Sequence, residues 1–256
     1  MRRANCFRSM CQTRRGNYGT VELLGLVNLP YTGSTTSASQ GLTIALNGFP
    51  SVASQCIGIA SLVTPTAPFT TYYFRVSASG LVVSLIPGYM PFYPTMPITN
   101  GLTYGLTVDC AYTFDSSTSL PFGTSVYNKI ETTDGTTPVN IPIISFAQSS
   151  IRWVESLGSN KTCRLYSELT VSDSNQTSPW NTIRLTFSPG WLFLNNITVP
   201  TNVTGKLLYC RTGQNPVMMG SYNEGVVNTA SFRANSNFVA SSVDAVLVSI
   251  IDFTFT

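Results

Sequence analysis

Alternation of apolar and polar residues runs through the middle of this chain, and an apolar phase of the same period returns at its end. Over residues 102–114 every even-numbered residue is apolar, and most odd-numbered residues are Thr, Gly or Asp. The same period returns over residues 243–255, where the odd-numbered residues are mainly apolar. Successive side chains of a β-strand point to opposite faces, so each segment predicts one long strand with a buried face. We therefore expect an all-β protein.

Further segments of the sequence predict strands because they are rich in alternating, β-branched or aromatic residues. They cover residues 42–46, 72–86, 141–154, 163–171, 183–187 with 191–194, and 205–211. We interpret Gly80 as a bulge or bend within the 72–86 strand, and Pro142 as either a strand start or a position on an edge strand. A short helix is predicted only for residues 54–63.

About eight strands joined by long loops predict one eight-stranded antiparallel jelly-roll β-sandwich. This domain is expected over residues 21–256, after a short basic N-terminal arm over residues 1–20. The long loops favour Greek-key crossings. An immunoglobulin-like sandwich is the alternative, although the spacing of Cys and Trp does not match that fold. No internal repeat is visible in the sequence.

The chain carries unusually little charge. Charged residues make up 10% of it and hydrophobic residues 43%, whereas soluble domains typically contain about 25% charged residues. Low charge weakens the repulsion that keeps proteins apart. We therefore predict a subunit whose surface is largely covered by copies of itself, with a secreted β-domain as the alternative.

Basic residues are concentrated at the N-terminus. Residues 1–15 contain five arginines and no acid, whereas the rest of the chain holds nine basic and all eleven acidic residues. A guanidinium group stays charged and binds two phosphate oxygens at once. We predict that a disordered arm contacts nucleic acid, independently of its sequence, through Arg2, Arg3, Arg8, Arg14 and Arg15. A solvated tail without a ligand is the alternative.

The sequence offers little catalytic or metal-binding chemistry. It contains no histidine, the commonest general base and zinc ligand. No phosphate-binding glycine motif and no C-x-x-C pair occurs. Cys110 and Cys163 lie on the apolar phases of predicted strands, so both are predicted to be small buried hydrophobic residues. We expect no enzyme and no cofactor.

Two acidic residues are weak candidates for calcium. Asp109 and Asp115 lie near the end of the 102–114 strand, and calcium binds several carboxylate oxygens. Ordinary solvent-facing carboxylates are the simpler interpretation. No segment approaches the ~20 apolar residues of a membrane helix, and the N-terminus lacks the apolar core of a signal peptide. We therefore expect no membrane partner.

The loop over residues 87–97, PGYMPFYPTMP, is rich in proline and aromatic residues. Proline restricts the unfolded loop, so apolar side chains are presented at a lower entropic cost. We predict a subunit contact at Tyr89, Phe92 and Tyr93. The alternative is a loop that packs on its own subunit.

An ordered set of segments resembles the capsid proteins of small non-enveloped icosahedral viruses, of the tombusvirus-like, nodavirus-like or circular single-stranded-DNA type. The set begins with YYFRVSASGLVVSLIPG over residues 72–88. The alternating strand of residues 102–115 and an SSTS stretch follow, then GKLLY over residues 205–209 and a last strand over residues 245–255. The N-terminal arm fits the same layout but is short for that family.

This resemblance implies a function. The chain would self-assemble in many copies into an icosahedral shell and package the viral genome, with the arginine arm facing the nucleic acid. It would be found in the virion, and in the cytoplasm or nucleus of the host cell during assembly. A host receptor would be a further partner. The alternative is a secreted or surface β-sandwich that recognises glycans or a receptor.

Overall fold

The protein is built almost entirely of antiparallel β-strands. The computed structural model describes residues 6–15, 18–28, 42–45, 56–79, 82–86, 102–113, 126–134, 136–155, 161–172, 179–211, 216–238 and 244–255. Within these residues the chain forms sixteen strands and one short helix. The prediction of an all-β protein is confirmed.

The chain divides into two compact units. The first comprises Met1–Leu120 with Cys210–Pro216, and the second comprises Pro121–Tyr209 with Val217–Thr256. The described strands form one seven-stranded and one nine-stranded sheet. This corrects the prediction of one eight-stranded domain over residues 21–256. The period of two identifies strands, but it does not determine how they are distributed between sheets.

The first sheet belongs to the first unit and has the order β1-β2-β7-β4-β5-β6-β3. Its strands are β1 (Cys6–Arg15), β2 (Tyr18–Asn28), β3 (Leu42–Ala45), β4 (Cys56–Val63), β5 (Thr71–Ser79), β6 (Val82–Ile86) and β7 (Thr103–Thr113). Its pairings are nested, because β4 pairs with β5, β3 with β6, and β2 with β7.

The second sheet has the order β10-β11-β16-β13-β14-β15-β12-β8-β9. Its strands are β8 (Tyr127–Thr133), β9 (Val139–Asn140), β10 (Ile143–Glu155), β11 (Lys161–Ser172), β12 (Trp180–Phe187), β13 (Thr201–Arg211), β14 (Val217–Tyr222), β15 (Thr229–Phe238) and β16 (Asp244–Phe255). Helix α1 (Pro189–Leu194) lies between β12 and β13.

The two sheets share one strand order. Raising every strand number of the first sheet by nine gives the first seven strands of the second, from β10 to β12. The nested pairs correspond as well, because β13 pairs with β14, β12 with β15, and β11 with β16. In each sheet a fourth strand returns beside a run of three hairpin-connected strands, which is a Greek-key connection. The chain therefore contains a structural repeat that its sequence pattern does not reveal.

A matching glycine contact supports this correspondence. A Cβ atom on Gly58 of β4 would overlap the carbonyl oxygen of Asp109 and come 2.6 Å from the Cα of Cys110, in β7. A Cβ atom on Gly205 of β13 would overlap the carbonyl oxygen of Ile250 and come 2.9 Å from the Cα of Ile251, in β16. Equivalent strand pairs thus approach each other at a glycine in both sheets.

The core of the second unit lies inside its nine-stranded sheet, which folds over itself. Strands β12 and β16 are not neighbours in the sheet, yet the Phe187 and Phe253 rings lie 5.4 Å apart. Trp180 packs edge-on against Tyr209 and lies 4.5 Å from the ring of Phe238. Buried aromatic pairs of this kind contribute about 0.5–1.5 kcal/mol each beyond their buried area.

Several local predictions need correction. The segment over residues 72–86 is not one strand but the hairpin β5–β6, in which Ser79 pairs with Val82. Residues 54–63 contain strand β4 instead of a helix, because Cys56–Val63 is buried on both faces between β5 and β7. Residues 191–194 belong to helix α1, where Pro189 suits the first turn.

The basic arm is also more ordered than the sequence predicts. Cys6–Arg15 forms β1 and pairs antiparallel with β2 along its whole length, from Cys6 opposite Val27 to Arg15 opposite Tyr18. Backbone hydrogen bonding to β2 supplies order that the low hydrophobicity of the segment does not predict. Residues 1–5 lie outside the described residues.

Candidate binding groove

The predicted site residues are only partly described. Arg8, Arg14 and Arg15 belong to β1, at the end of the first sheet's strand order. Asp109 lies in β7, half-buried and directly opposite Glu22 of β2. The other predicted positions lie outside the described residues: Arg2, Arg3, Tyr89, Phe92, Tyr93 and Asp115. Among the residues that are described, no group of three or more acidic or cysteine side chains could hold a metal ion.

The cysteine prediction is confirmed. Cys110 and Cys163 are buried with free thiols. Burial raises the pKa of the Cys163 thiol well above its usual range, which keeps the group protonated and unreactive. Both residues therefore act as small core side chains.

A buried hydroxyl cluster ties the two layers of the second unit together. The Tyr127 hydroxyl group of β8 lies 3.0 Å from Ser167 Oγ and 3.1 Å from Ser249 Oγ. The two serines also hydrogen-bond each other across the β11–β16 pair. Burial raises the pKa of Tyr127 to about 12. The cluster is closed to solvent, so its role is structural.

Polar side chains form a continuous row across four neighbouring strands of the second sheet. Glu131 of β8 lies opposite Arg184 of β12, which lies opposite Ser231 of β15, which lies opposite Tyr222 of β14. Residues directly opposite each other share one face of a sheet. The buried residues Ile130, Ile183 and Phe232 alternate with this row and supply the core on the other face.

Arg184 is the centre of this row. Its Nε donates a 2.8 Å hydrogen bond to Glu224 Oε2, and its Nη1 lies 3.3 Å from Glu131 Oε2. Ser231 Oγ donates a 2.7 Å hydrogen bond to Glu224 Oε2, and Lys129 Nζ lies 2.6 Å from Glu131 Oε1. The arrangement links two carboxylates through one planar guanidinium group.

The contacts within this network keep Glu224 and Arg184 in their ionised forms. The hydrogen bond from Arg184 is the main cause that lowers the pKa of Glu224, and the hydrogen bond to Glu224 raises the pKa of Arg184. Glu224 therefore stays ionised at neutral pH and is compensated by its partner. A carboxyl group that donates a proton needs a raised pKa, so this arrangement favours binding over acid catalysis.

A groove of about 480 Å³ adjoins the polar row. One wall is the segment Val199–Thr204, which includes the first residues of β13, and the other is the segment Tyr222–Val227, which runs from the end of β14 into the turn before β15. Thr229 and Ser231 of β15 complete the lining. The valines at the rim, Val199, Val226 and Val227, are exposed. The groove thus combines an apolar rim with hydroxyl and amide groups.

The groove exists because β13 and β14 separate. Their pairing runs from Tyr209 opposite Val217 to Lys206 opposite Gly220. Beyond that point the Gly205 N–H donates a hydrogen bond to Ser221 Oγ instead. The first residues of β13 follow β16, since Thr201 Oγ1 donates to the carbonyl oxygen of Thr254. The sequence did not predict this groove, because its position depends on where the hydrogen-bonded ladder between β13 and β14 ends.

Comparison of the chain with protein-family models, curated proteins and solved structures finds no match. Among the described residues, no helix is long and apolar enough to span a membrane. The fold and the groove are therefore the basis for assigning a function.

Proposed function

We propose that this chain is a capsid protein of a small non-enveloped icosahedral virus, which self-assembles into a closed shell and packages the genome. The observation that carries the proposal is the nested strand order, which occurs in both units. A jelly roll is a long antiparallel hairpin rolled up so that its strands pair in nested fashion through Greek-key connections. Viral capsid domains are prominent users of that architecture.

The nested strand order is more specific evidence for a jelly roll than the large share of residues in β-strands is. In each sheet three nested pairs account for six strands, and one strand continues the order at an end, as β10 does beside β11. In the second unit β8 lies beside β12 and supplies an eighth strand. We propose two jelly-roll units in tandem, in place of the single one expected from the sequence.

Surface chemistry also supports assembly. Large apolar side chains are exposed in both units, including Leu24 at 62% and Phe193 at 81% exposure. With only 10% charged residues in the chain, little repulsion opposes contacts between copies. Closed symmetry lets one such protein cover a large shell through repeated contacts.

The arginine-rich segment supports contact with a genome. Five arginines per chain bind weakly alone, but many copies facing one interior would bind cooperatively through multivalency. The contacts would be to phosphate and therefore independent of nucleotide sequence. Under this proposal the protein resides in the virion and, during assembly, in the cytoplasm or nucleus of the host cell.

Electron microscopy of the purified chain at near-physiological salt tests the proposal. We expect uniform closed shells, whose diameter would distinguish a 60-subunit lattice from a 180-subunit lattice. A population of monomers or small oligomers at high protein concentration would contradict it. That outcome would favour a binding module for glycans or a receptor, since lectins also use jelly rolls.

A further inference from the structure

The groove of the second unit lies where β13 has stopped pairing with β14, between the first residues of β13 and the turn that follows β14. The described ladder between β13 and β14 ends at Lys206 opposite Gly220. The groove lining then continues along Val199–Thr204 on one side and Tyr222–Val227 on the other. On the β13 side this leaves a strand edge that the described ladder to β14 does not cover, and an added extended segment is a common means of pairing such an edge.

The charged residues that line the groove indicate which net charge a bound segment should carry. Glu224 is the one charged residue among the residues that border the groove. Its carboxylate is compensated by two contacts with Arg184 and a hydrogen bond from Ser231. A charged ligand would find no free counter-charge there, so the groove suits an uncharged segment. The exposed valines at the rim suit apolar side chains.

We infer that this groove accepts one extended segment of a second copy of the chain, which adds a strand beside β13. This inference rests on the proposed self-assembly and identifies a contact through which it occurs. The chain itself meets the requirement on charge, because only 10% of its residues are charged and its extended segments are mostly neutral. Backbone hydrogen bonds would provide affinity, and the valine rim would select the side chains.

Photo-cross-linking tests the occupant directly. A benzophenone amino acid replaces Val227, which is 66% exposed at the rim, and in a control chain it replaces Phe69, which is 71% exposed in the other unit. The full-length chain is irradiated at assembly concentration, and cross-linked peptides are identified by mass spectrometry. We expect cross-links between copies from position 227, at least about tenfold more abundant than those from the same position in dilute monomer.

A substitution provides the second readout. Val227→Asp places a charge where the added segment would lie, while Phe69→Asp makes the same change outside the groove. Because both side chains are exposed, both variants should keep the circular dichroism spectrum and melting temperature of the parent chain. We expect Val227→Asp to lower the yield of assembled species at least about tenfold, and Phe69→Asp to change it less than about twofold.

The outcomes separate this inference from the proposed function. Cross-links between copies at position 227 in small oligomers, without shells, would support the groove contact and contradict the capsid proposal. Shells that form normally with Val227→Asp, and show no cross-link between copies at position 227, would overturn the groove contact alone. Cross-links to an added neutral oligosaccharide probe carrying its own photoreactive group would also overturn it, in favour of a glycan site.

Discussion

At Gly205 the packing of β13 against β16 leaves no room for a side chain. An alanine methyl group there would overlap the backbone of Ile250 and approach Ile251. We predict that Gly205→Ala lowers the free energy of unfolding by about 1–3 kcal/mol, because β13 and β16 must separate to admit it. Urea unfolding followed by circular dichroism measures the change.

Gly220 provides the matched control for this substitution. It lies in the neighbouring strand β14, and a Cβ atom there would meet nothing within 4 Å. Gly220→Ala should therefore change stability by less than about 0.5 kcal/mol. Equal losses in the two variants would contradict the close approach of β13 to β16 and assign the effect to the loss of glycine itself.

The sequence predicts the burial of individual side chains, but it does not predict the ion pairs between distant residues. The period of two correctly predicted that Cys110 and Cys163 are buried, because burial follows from the phase of a strand. The contacts of Arg184 with Glu131 and Glu224 were not predictable. They join residues 53 and 40 positions apart. Only the register of β8 with β12 and the position of the turn between β14 and β15 bring these residues together.

At the scale of elements, strand β8 is held over β11 and β16 by the hydroxyl group of Tyr127. Its pKa is raised to about 12 by burial, whereas an unfolded tyrosine has a pKa near 10. Above about pH 10 the unfolded chain loses this proton while the folded chain keeps it, so stability falls as pH rises towards 12. We predict that Tyr127→Phe makes this decline shallower, as measured by urea unfolding between pH 8 and 11.

The same variant has a cost at neutral pH. Tyr127→Phe removes hydrogen bonds to Ser167 and Ser249, but these serines still bond each other. The expected loss is about 1 kcal/mol at pH 7. Ser249→Ala is the control, since it lowers stability but keeps the buried phenol and hence the alkaline decline. An unchanged pH profile in Tyr127→Phe would show that this phenol is not buried as described.

The sequence predicted which segments form strands better than it predicted which strands pair with each other. Alternation located β7 and β16 because each has a long buried phase. It failed for β4, whose residues are buried on both faces and so carry no period. It also merged β5 with β6, since Gly80 was interpreted as an irregularity within one strand and the hairpin depends on the pairing of Ser79 with Val82.

At the scale of the whole molecule, the repeat of strand order was hidden from the sequence. A nested pairing joins strands that are distant along the chain, and many sequences satisfy the same pattern of burial. One local similarity remains in the sequence, between AYTF over residues 111–114 and DFTF over residues 252–255. Residues 111–113 lie at the end of β7 and residues 252–255 at the end of the equivalent strand β16, and four residues alone could not establish a duplication.

The arginine-rich segment yields a prediction for the assembled particle. Its residues 6–15 form β1, so deleting the segment would remove a strand as well as its charge. Replacing Arg2, Arg3, Arg8, Arg14 and Arg15 by glutamine keeps the length and removes only the charge. Each lost phosphate contact should reduce the salt dependence of binding by about 0.7–0.9 in log–log slope.

We therefore expect particles of the five-glutamine variant to hold less nucleic acid, with a lower ratio of absorbance at 260 nm to that at 280 nm. Lys161→Gln with Arg233→Gln is the control, because it removes two exposed charges from the second unit. Its particles should keep their nucleic-acid content. If the five-glutamine particles held as much nucleic acid as the parent, the N-terminal arginines would have no part in packaging, and the genome would have to contact other basic residues of the shell.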